Sequence, residues 1–470
     1  MSKKRRLFLF IVCVLLFLVL SPIAIFYSQG YRFDPQKRRI TQTGGFYVKA
    51  SPARADVYLN DNLKKKTDFF FGAVLIENLL PEKYKLEVKK DGYYSWSKTL
   101  EIKEKLVTEN KNIFLVPQNV SPFEISENTE DLFLSPDETK LILYEDEKGQ
   151  DKGRWSLKLY DIQNKVKSLI LSERDISKTN IDFLDLSFSP DSKNVLIRTS
   201  LNEQIQYFLL SLTSNPPSFL SLRFLGQNID FLSFNGDEAK VFGLKDGLLF
   251  QANLDKKQSS LVSFTEKELK SSILVYKEHK NNIYFLNKGG YIFKTNSSFK
   301  NEEILNKENP LPKSDGEIEY GLYLLNSYIF VKQGTDLYLF KEKEGTFTKE
   351  FDNTFGVVIS PNSKRMIYYS PHEISVISRD KEANVGGVEE EKQFILRISP
   401  EIRQVLFLND YYLVFNTEDE INIIETDARD EVNNITFVQT KNSKVIWSNL
   451  LKNLFVLANN NLSSYELKNF

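Results

Sequence analysis

The chain has 470 residues, with 62 basic and 63 acidic side chains, one cysteine and two histidines. Hydrophobic residues at 41% and aromatics at 13% can build cores, which excludes a disordered chain. One cysteine excludes an intrachain disulfide framework, two histidines leave little for a zinc site, and a formal charge of −1 argues against a nucleic-acid partner.

Residues Leu7 to Tyr27 read LFLFIVCVLLFLVLSPIAIFY, in which only Ser21 and Pro22 are not apolar. A helix of that length rises about 31 Å, enough for the hydrocarbon core of a bilayer. Lys3, Lys4, Arg5 and Arg6 precede it and favour a cytoplasmic N-terminus, although Arg32, Lys37, Arg38 and Arg39 follow it closely. The expectation is a short cytoplasmic tail (1–6), a transmembrane helix (7–27), a basic linker (28–43) and an extracytoplasmic bulk in a single-pass cell-membrane protein. A cleaved signal peptide is the rival, with small residues at Ser28-Gln29-Gly30, but the apolar run exceeds an ordinary h-region. Cys13 lies inside the span and reads as a small apolar residue. Charge is uneven beyond it. Residues 1–117 carry 21 basic and 11 acidic side chains, leaving 41 and 52 for residues 118–470. A basic base against anionic lipid or polymer, or simple topology charges below a soluble acidic head, both fit that split.

Residues 44–117 alternate as short strands separated by turn residues. GGFYVKAS opens the unit, Val57 and Leu59 share a face of the next strand, and Tyr84-Lys85-Leu86-Glu87-Val88 repeats at period 2. Asn60-Asp61-Asn62 and Asp91-Gly92 supply turn chemistry. Tyr93, Tyr94 and Trp96 serve either a small aromatic core or stacking on sugar rings, and the core reading is preferred. The ordered set Ser51-Pro52, Val57-Tyr58-Leu59-Asn60-Asp61, Leu80-Pro81, Tyr84 and Asp91-Gly92-Tyr93 resembles a PEGA domain, a small β-sandwich of surface proteins. Pro52-Ala53-Arg54-Ala55 stands at the namesake motif, with Ala53 for Glu and Arg54 for Gly, and Asn60-Asp61-Asn62 stands where Asp-Gly is usual. The resemblance implies surface display and no chemistry.

From residue 120 onward the sequence repeats. LFLSPDETKLILY, with Ser135-Pro136-Asp137, returns as LSFSPDSKNVLIR, with Ser189-Pro190-Asp191, then as LSFNGDEAKVFGL, with Asn235-Gly236-Asp237, and as VVISPNSKRMIYY, with Ser360-Pro361-Asn362. Weaker copies lie at 274–287, 322–334, 405–417 and 445–459. Each reads as strand, tight turn, strand. A small sheet that cannot bury both faces alone predicts a β-propeller of seven or eight blades over 120–470. The terminal LSSYELKNF reads as a third strand, and Pro122 to Ser126 can supply the fourth, stapling the ring with both ends. The repeats resemble TolB-like propellers, with Glu138, Ser192 and Ser363 where that family places glycine.

The fold class expected is therefore all-β: an N-terminal transmembrane helix, a small PEGA-like β-sandwich and a seven- or eight-bladed propeller. No cofactor and no catalytic, metal or cofactor-binding residue is assigned. His279 and His372 have no Ser-Gly elbow or ligand spacing beside them, Asp146-Glu147 and Glu389-Glu390-Glu391 read as solvated loops, and Gly386-Gly387 lacks the strand–helix context of a phosphate cradle. The function expected is a membrane-anchored, non-catalytic binding or scaffold protein whose propeller recognises an envelope polymer or another surface protein. A glycan hydrolase or lyase using funnel carboxylates is the alternative, and a sensor relaying through a membrane partner is a third reading.

Overall fold

The computed structural model describes residues 3–35, 37–146, 154–177, 180–214, 216–227, 229–235, 237–245, 248–261, 273–279, 282–296, 298–299, 301–314, 316, 318–325, 328–342, 344–379 and 391–470. Two compact units emerge. One comprises Met1–Val120 with Ile423–Phe437 and Leu467–Phe470, and the other Ser121–Asn422 with Val438–Glu466.

The first unit begins with helix α1 (Lys3–Ser28), with Pro22 inside it. Its apolar stretch from Arg5 to Ser28 is long enough to cross a membrane, and none of it is buried against the rest of the chain. The stretch read as a basic linker is instead largely a β-hairpin, β1 (Tyr31–Asp34) with β2 (Arg39–Gln42). Its basic residues are interleaved with Phe33 and Ile40, so the period-2 pattern was hidden under a charge run. Next come β3 (Gly44–Ser51), β4 (Asp56–Leu59), β5 (Asn62–Lys66), β6 (Ala73–Leu79), β7 (Lys83–Lys89), β8 (Trp96–Glu101) and β9 (Val107–Phe114). They form two sheets, ordered β6-β3-β9 and β5-β4-β7-β8. Alternate residues of both sheets meet in one core: Phe46, Val48 and Ile113 from one side, Val57, Leu59, Leu86, Val88 and Trp96 from the other. This is a β-sandwich, and the period-2 pattern of β4 and β7 is what places those side chains on one face.

Eight further sheets, each of four strands, follow; seven lie in the second unit, and the one over 404–439 is shared with the first through Ile423–Phe437. Seven are simple meanders over 129–172, 182–221, 229–261, 273–304, 320–351, 356–397 and 404–439. These are blades 1 to 7. Blade 8 takes three strands from 444–466 and its outermost strand, Phe123–Ser126, from the start of the unit. The ring is thus stapled by both ends, as the sequence predicts. All eight strand–turn–strand repeats pair as antiparallel hairpins. First strands of blades 4 to 8 touch in succession, which makes the first strand innermost. Apolar clusters lie between neighbouring sheets. Ile142 and Trp155 of blade 1 pack on Val195 and Ile197 of blade 2, and Leu141 and Leu143 of blade 1 pack on Phe455 of blade 8. An antiparallel sheet with two apolar faces is stable only when both are covered, and ring closure covers every one. The architecture is an eight-bladed β-propeller.

The Ser-Pro-Asp turn has a definite job. Ser135 Oγ donates to Asp137 Oδ1 at 2.6 Å and accepts the Lys140 N–H at 3.0 Å, while Asp137 Oδ1 also accepts the Thr139 N–H at 3.1 Å. Ser189 with Asp191, and Ser360 with Asn362, repeat the pattern at 2.6 and 2.9 Å. Glu138, Ser192 and Ser363 sit at φ of 57°, 62° and 56°, the left-handed region that explains glycine at this position in related turns. Two of the replacements gain a bond that glycine lacks. Ser192 Oγ accepts the Asp137 N–H of blade 1 at 3.0 Å, and Glu138 Oε2 accepts the Leu450 N–H and the Ser448 hydroxyl of blade 8 at 2.6 and 3.0 Å. Asp410 of blade 7 similarly accepts the Asn362 N–H of blade 6 at 3.0 Å. Turn side chains thus tie consecutive blades together.

Candidate functional site

In the propeller, the innermost strands of the first four blades share a device. Each has a register shift near its start, between Thr129 and Asp131, Phe183 and Asp185, Ile229 and Phe231, and Ile273 and Val275. A bulge leaves one residue unpaired and re-aims its neighbours. Asp131 and Asp185 use it alike: each carboxylate accepts the next residue's N–H, at 2.7 and 2.8 Å. The first strands of blades 1 to 4 carry six acids, Glu130, Asp131, Asp182, Asp185, Asp230 and Glu278, and one base, Lys277. Those of blades 5 to 8 carry no acid and a single base, Lys444, which pairs with Asp131. One half of the inner wall is therefore acidic and the other apolar, a bias that the near-neutral composition hides. It was legible only after alignment of the repeats placed these acids on one class of strand.

The residues weighed from sequence scatter over the fold. His279 ends the first strand of blade 4 opposite Asn282, and His372 lies in a turn of blade 6, its N–H bonded to Ser370 Oγ at 3.2 Å. Asp146 ends the second strand of blade 1 opposite Trp155, and Glu391 opens the last strand of blade 6. Glu147, Gly386, Gly387, Glu389, Glu390 and Gly236 lie outside the described residues. Among the described residues no group of three or more His, Cys, Asp or Glu side chains is placed to hold a metal ion.

In the first unit, Trp96 is buried and its indole N–H donates to Glu425 Oε2 at 2.8 Å, while the Tyr93 hydroxyl accepts from Asn469 Nδ2 at 2.9 Å. These two rings serve packing and hydrogen bonding; Tyr94 is the exposed one of the three. Lys98 is the unexpected residue. In a strand of alternating polar character it reads as solvated, yet it is 1% exposed. Its ammonium pairs with Glu425 Oε1 at 2.9 Å and donates to the carbonyls of Asp427, Arg429 and Glu431 at 2.8, 2.8 and 3.0 Å. Asn433 donates twice more to Glu425 Oε1. Burial opposes the charge of Asp427, but the Arg429 guanidinium, with Lys98 beyond it, outweighs that and holds the carboxyl below the usual range. No signal local to Lys98 marks this, because its partners lie over 300 residues away.

The same unit shows an aromatic loop that alternation arguments pass over. Phe69, Phe70 and Phe71 are all exposed and follow Lys64, Lys65 and Lys66. Asp68 fixes the loop by accepting the N–H groups of Phe70, Phe71 and Ala73 at 2.8, 2.7 and 2.8 Å. Gly72 closes it at φ +64°, where a Cβ would meet the Ala50 carbonyl at 2.4 Å.

No protein-family model matches the chain, and no curated protein matches it in sequence. Solved structures match part of the chain at low identity. The Dos1 propeller is 12% identical and covers 74% of this chain and 95% of its own, with a TM-score of 0.49. The C-terminal WD40 domain of Sif2 is 12% identical, covers 73% and 97%, and scores 0.48. BamB from Moraxella catarrhalis is 11% identical, covers 74% and 98%, and scores 0.42. Likeness at this level concerns fold and not ligand.

Proposed function

We propose that this chain is a membrane-anchored, extracytoplasmic binding and scaffold protein without catalytic activity. The observation that carries the reading is α1: an apolar helix of membrane-spanning length with no protein packed over it. Exposing so many large apolar side chains to water is costly, and a bilayer removes that cost. The basic residues before the helix orient the bulk outward. The sandwich, PEGA-like in its turn sequence, displays the propeller, which is TolB-like in its Ser-Pro-Asp turns.

The recognition surface assigned here is the inner wall of blades 1 to 4. Its acids favour a partner with positive charge, so a basic surface protein fits better than an anionic envelope polymer. The hydrolytic alternative needs two carboxylates free to share the work. Of the six inner-strand acids, three are engaged: Asp131 with Lys444, Asp185 with a backbone N–H and Glu130 with the Asn460 amide. The test uses the full chain in lipid nanodiscs, titrated against purified envelope polymers and basic surface proteins over a salt series. Salt-sensitive binding to a basic protein, weakened about tenfold by Asp185→Asn with Asp230→Asn, supports the reading. Binding to a polymer unaffected by either substitution contradicts it.

A further inference from the structure

The hairpin that follows α1 is built inside out. Its register pairs Arg32 with Thr41 and Asp34 with Arg39 on one face, and Tyr31 with Gln42 and Phe33 with Ile40 on the other. The polar face turns toward the unit's own body. Asp34 and Thr41 are buried, Thr41 Oγ1 donates to Glu104 Oε1 at 2.6 Å, Arg39 pairs with the same carboxylate at 3.1 Å, and Arg32 donates to Asn78 Oδ1 at 2.8 Å. The apolar pair faces outward, Phe33 at 63% exposure and Ile40 at 69%. A hairpin on a soluble domain has the opposite arrangement, because water favours the polar face out.

The position of this face is fixed by the helix. Only Gln29 and Gly30 separate α1 from β1. The junction is held by Thr43, whose N–H and hydroxyl both donate to the Gly30 carbonyl at 2.9 and 2.8 Å. Arg32 donates to the Tyr27 carbonyl at 2.6 Å and lies 3.5 Å from the centre of the Tyr27 ring. The Phe26 ring meets Tyr31 edge-on at 5.4 Å, so the apolar surface of the helix runs on into the outer face of the hairpin. Toward its tip Arg38 is exposed, while the Lys37 ammonium donates to the Pro81 carbonyl at 3.1 Å. The Phe69–Phe71 loop is different. It precedes Ala73, at the far end of β6 from the Gly44–Leu79 pair, about 20 Å along the strand.

We propose that the β1–β2 hairpin lies in the boundary between headgroups and acyl chains of the bilayer that holds α1, with Phe33 and Ile40 against lipid and Arg38 beside anionic headgroups. The proposal rests on the reading of α1 as a membrane span. Tyrosines 27 and 31 then occupy the interfacial belt where aromatic residues with one polar end reside, and the inverted hairpin is the right way out for its solvent.

The test places a nitroxide on the full chain in phosphatidylcholine–phosphatidylglycerol vesicles and compares its collisions with oxygen, which enters lipid, and with a nickel chelate, which does not. Three labels are used: native Cys13, Ile40→Cys with Cys13→Ser, and Glu401→Cys with Cys13→Ser as an exposed propeller reference. The expected result is an oxygen-to-nickel ratio at Ile40→Cys at least about threefold above that at Glu401→Cys, with Cys13 higher still. Equal ratios at Ile40→Cys and Glu401→Cys, with Cys13 in hydrocarbon, overturn the hairpin proposal and leave the anchor standing. A Cys13 label that collides freely with nickel, or that has been lost with a cleaved segment, overturns both. Unchanged thermal unfolding of the labelled chains confirms that the sites report on an intact fold.

Discussion

The propeller and the sandwich unit are held in different ways. The ring distributes its stability over sheet-to-sheet apolar interfaces and small turn latches such as Ser192 to Asp137 and Asp410 to Asn362. The first unit also holds a buried ammonium, Lys98, which pairs with the Glu425 carboxylate and shares its three N–H groups among the Asp427, Arg429 and Glu431 carbonyls.

That contrast is most sharply broken at Lys98. Lys98→Met leaves Glu425 and three carbonyls without their shared cation, and a loss of about 3–5 kcal/mol is expected in urea unfolding. A ring residue of similar burial should cost much less for a modest change. Ile197→Val, between blades 1 and 2, is expected to lose only about 0.5–1.5 kcal/mol. If the two losses are equal, the contrast between the two units is wrong.

The turn latches separate two effects within the ring. Ser363→Gly relieves a left-handed residue for which no side-chain bond is seen among the described residues, and a gain of roughly 0.5–1 kcal/mol is expected. Ser192→Gly relieves the same strain but forfeits the bond from Asp137, so its melting temperature should rise less or fall. Equal gains from both would show that the latch contributes nothing.

A smaller effect is expected from pH. Burial opposes the charge of Asp137, yet the Ser135 hydroxyl, the Thr139 N–H and hydroxyl, and Lys140 outweigh it and hold the carboxyl at about 2. A carboxyl depressed in the folded state stabilises at pH above its unfolded value of 3.8 and loses that contribution as pH falls toward 2. The stability difference between the native chain and Asp137→Asn should therefore shrink between pH 4 and pH 2. Solvent exposure keeps the effect small.

Much of this fold is legible in the residues. Ser-Pro-Asp repeats, alternating strands and the strand-forming Pro122–Ser126 lead to a ring closed by both ends, because local turn chemistry and period-2 patterning are short-range signals. The remainder depends on partners distant in sequence. Ser192 reads as an imperfect glycine until the Asp137 N–H, 55 residues earlier, is seen against it. Lys98 reads as solvated until the Ile423–Phe437 segment surrounds it. Arg38 and Arg39 read as linker charges because the Phe33–Ile40 pairing across the hairpin is invisible along the chain. The acidic half of the inner wall is intermediate, since its acids are visible but their common strand position needs the repeat register.

An anchored scaffold requires the propeller to stand outside the membrane. The most direct measurement expresses the full chain with Cys13→Ser and Glu401→Cys in bacterial cells and treats intact cells with a membrane-impermeant maleimide. Labelling of Glu401→Cys before lysis, on a chain that keeps its full mass and stays in the membrane after alkaline extraction, is the expected result. Labelling only after lysis, or a labelled soluble chain shortened by its first thirty or so residues, would contradict the anchored, outward-facing scaffold.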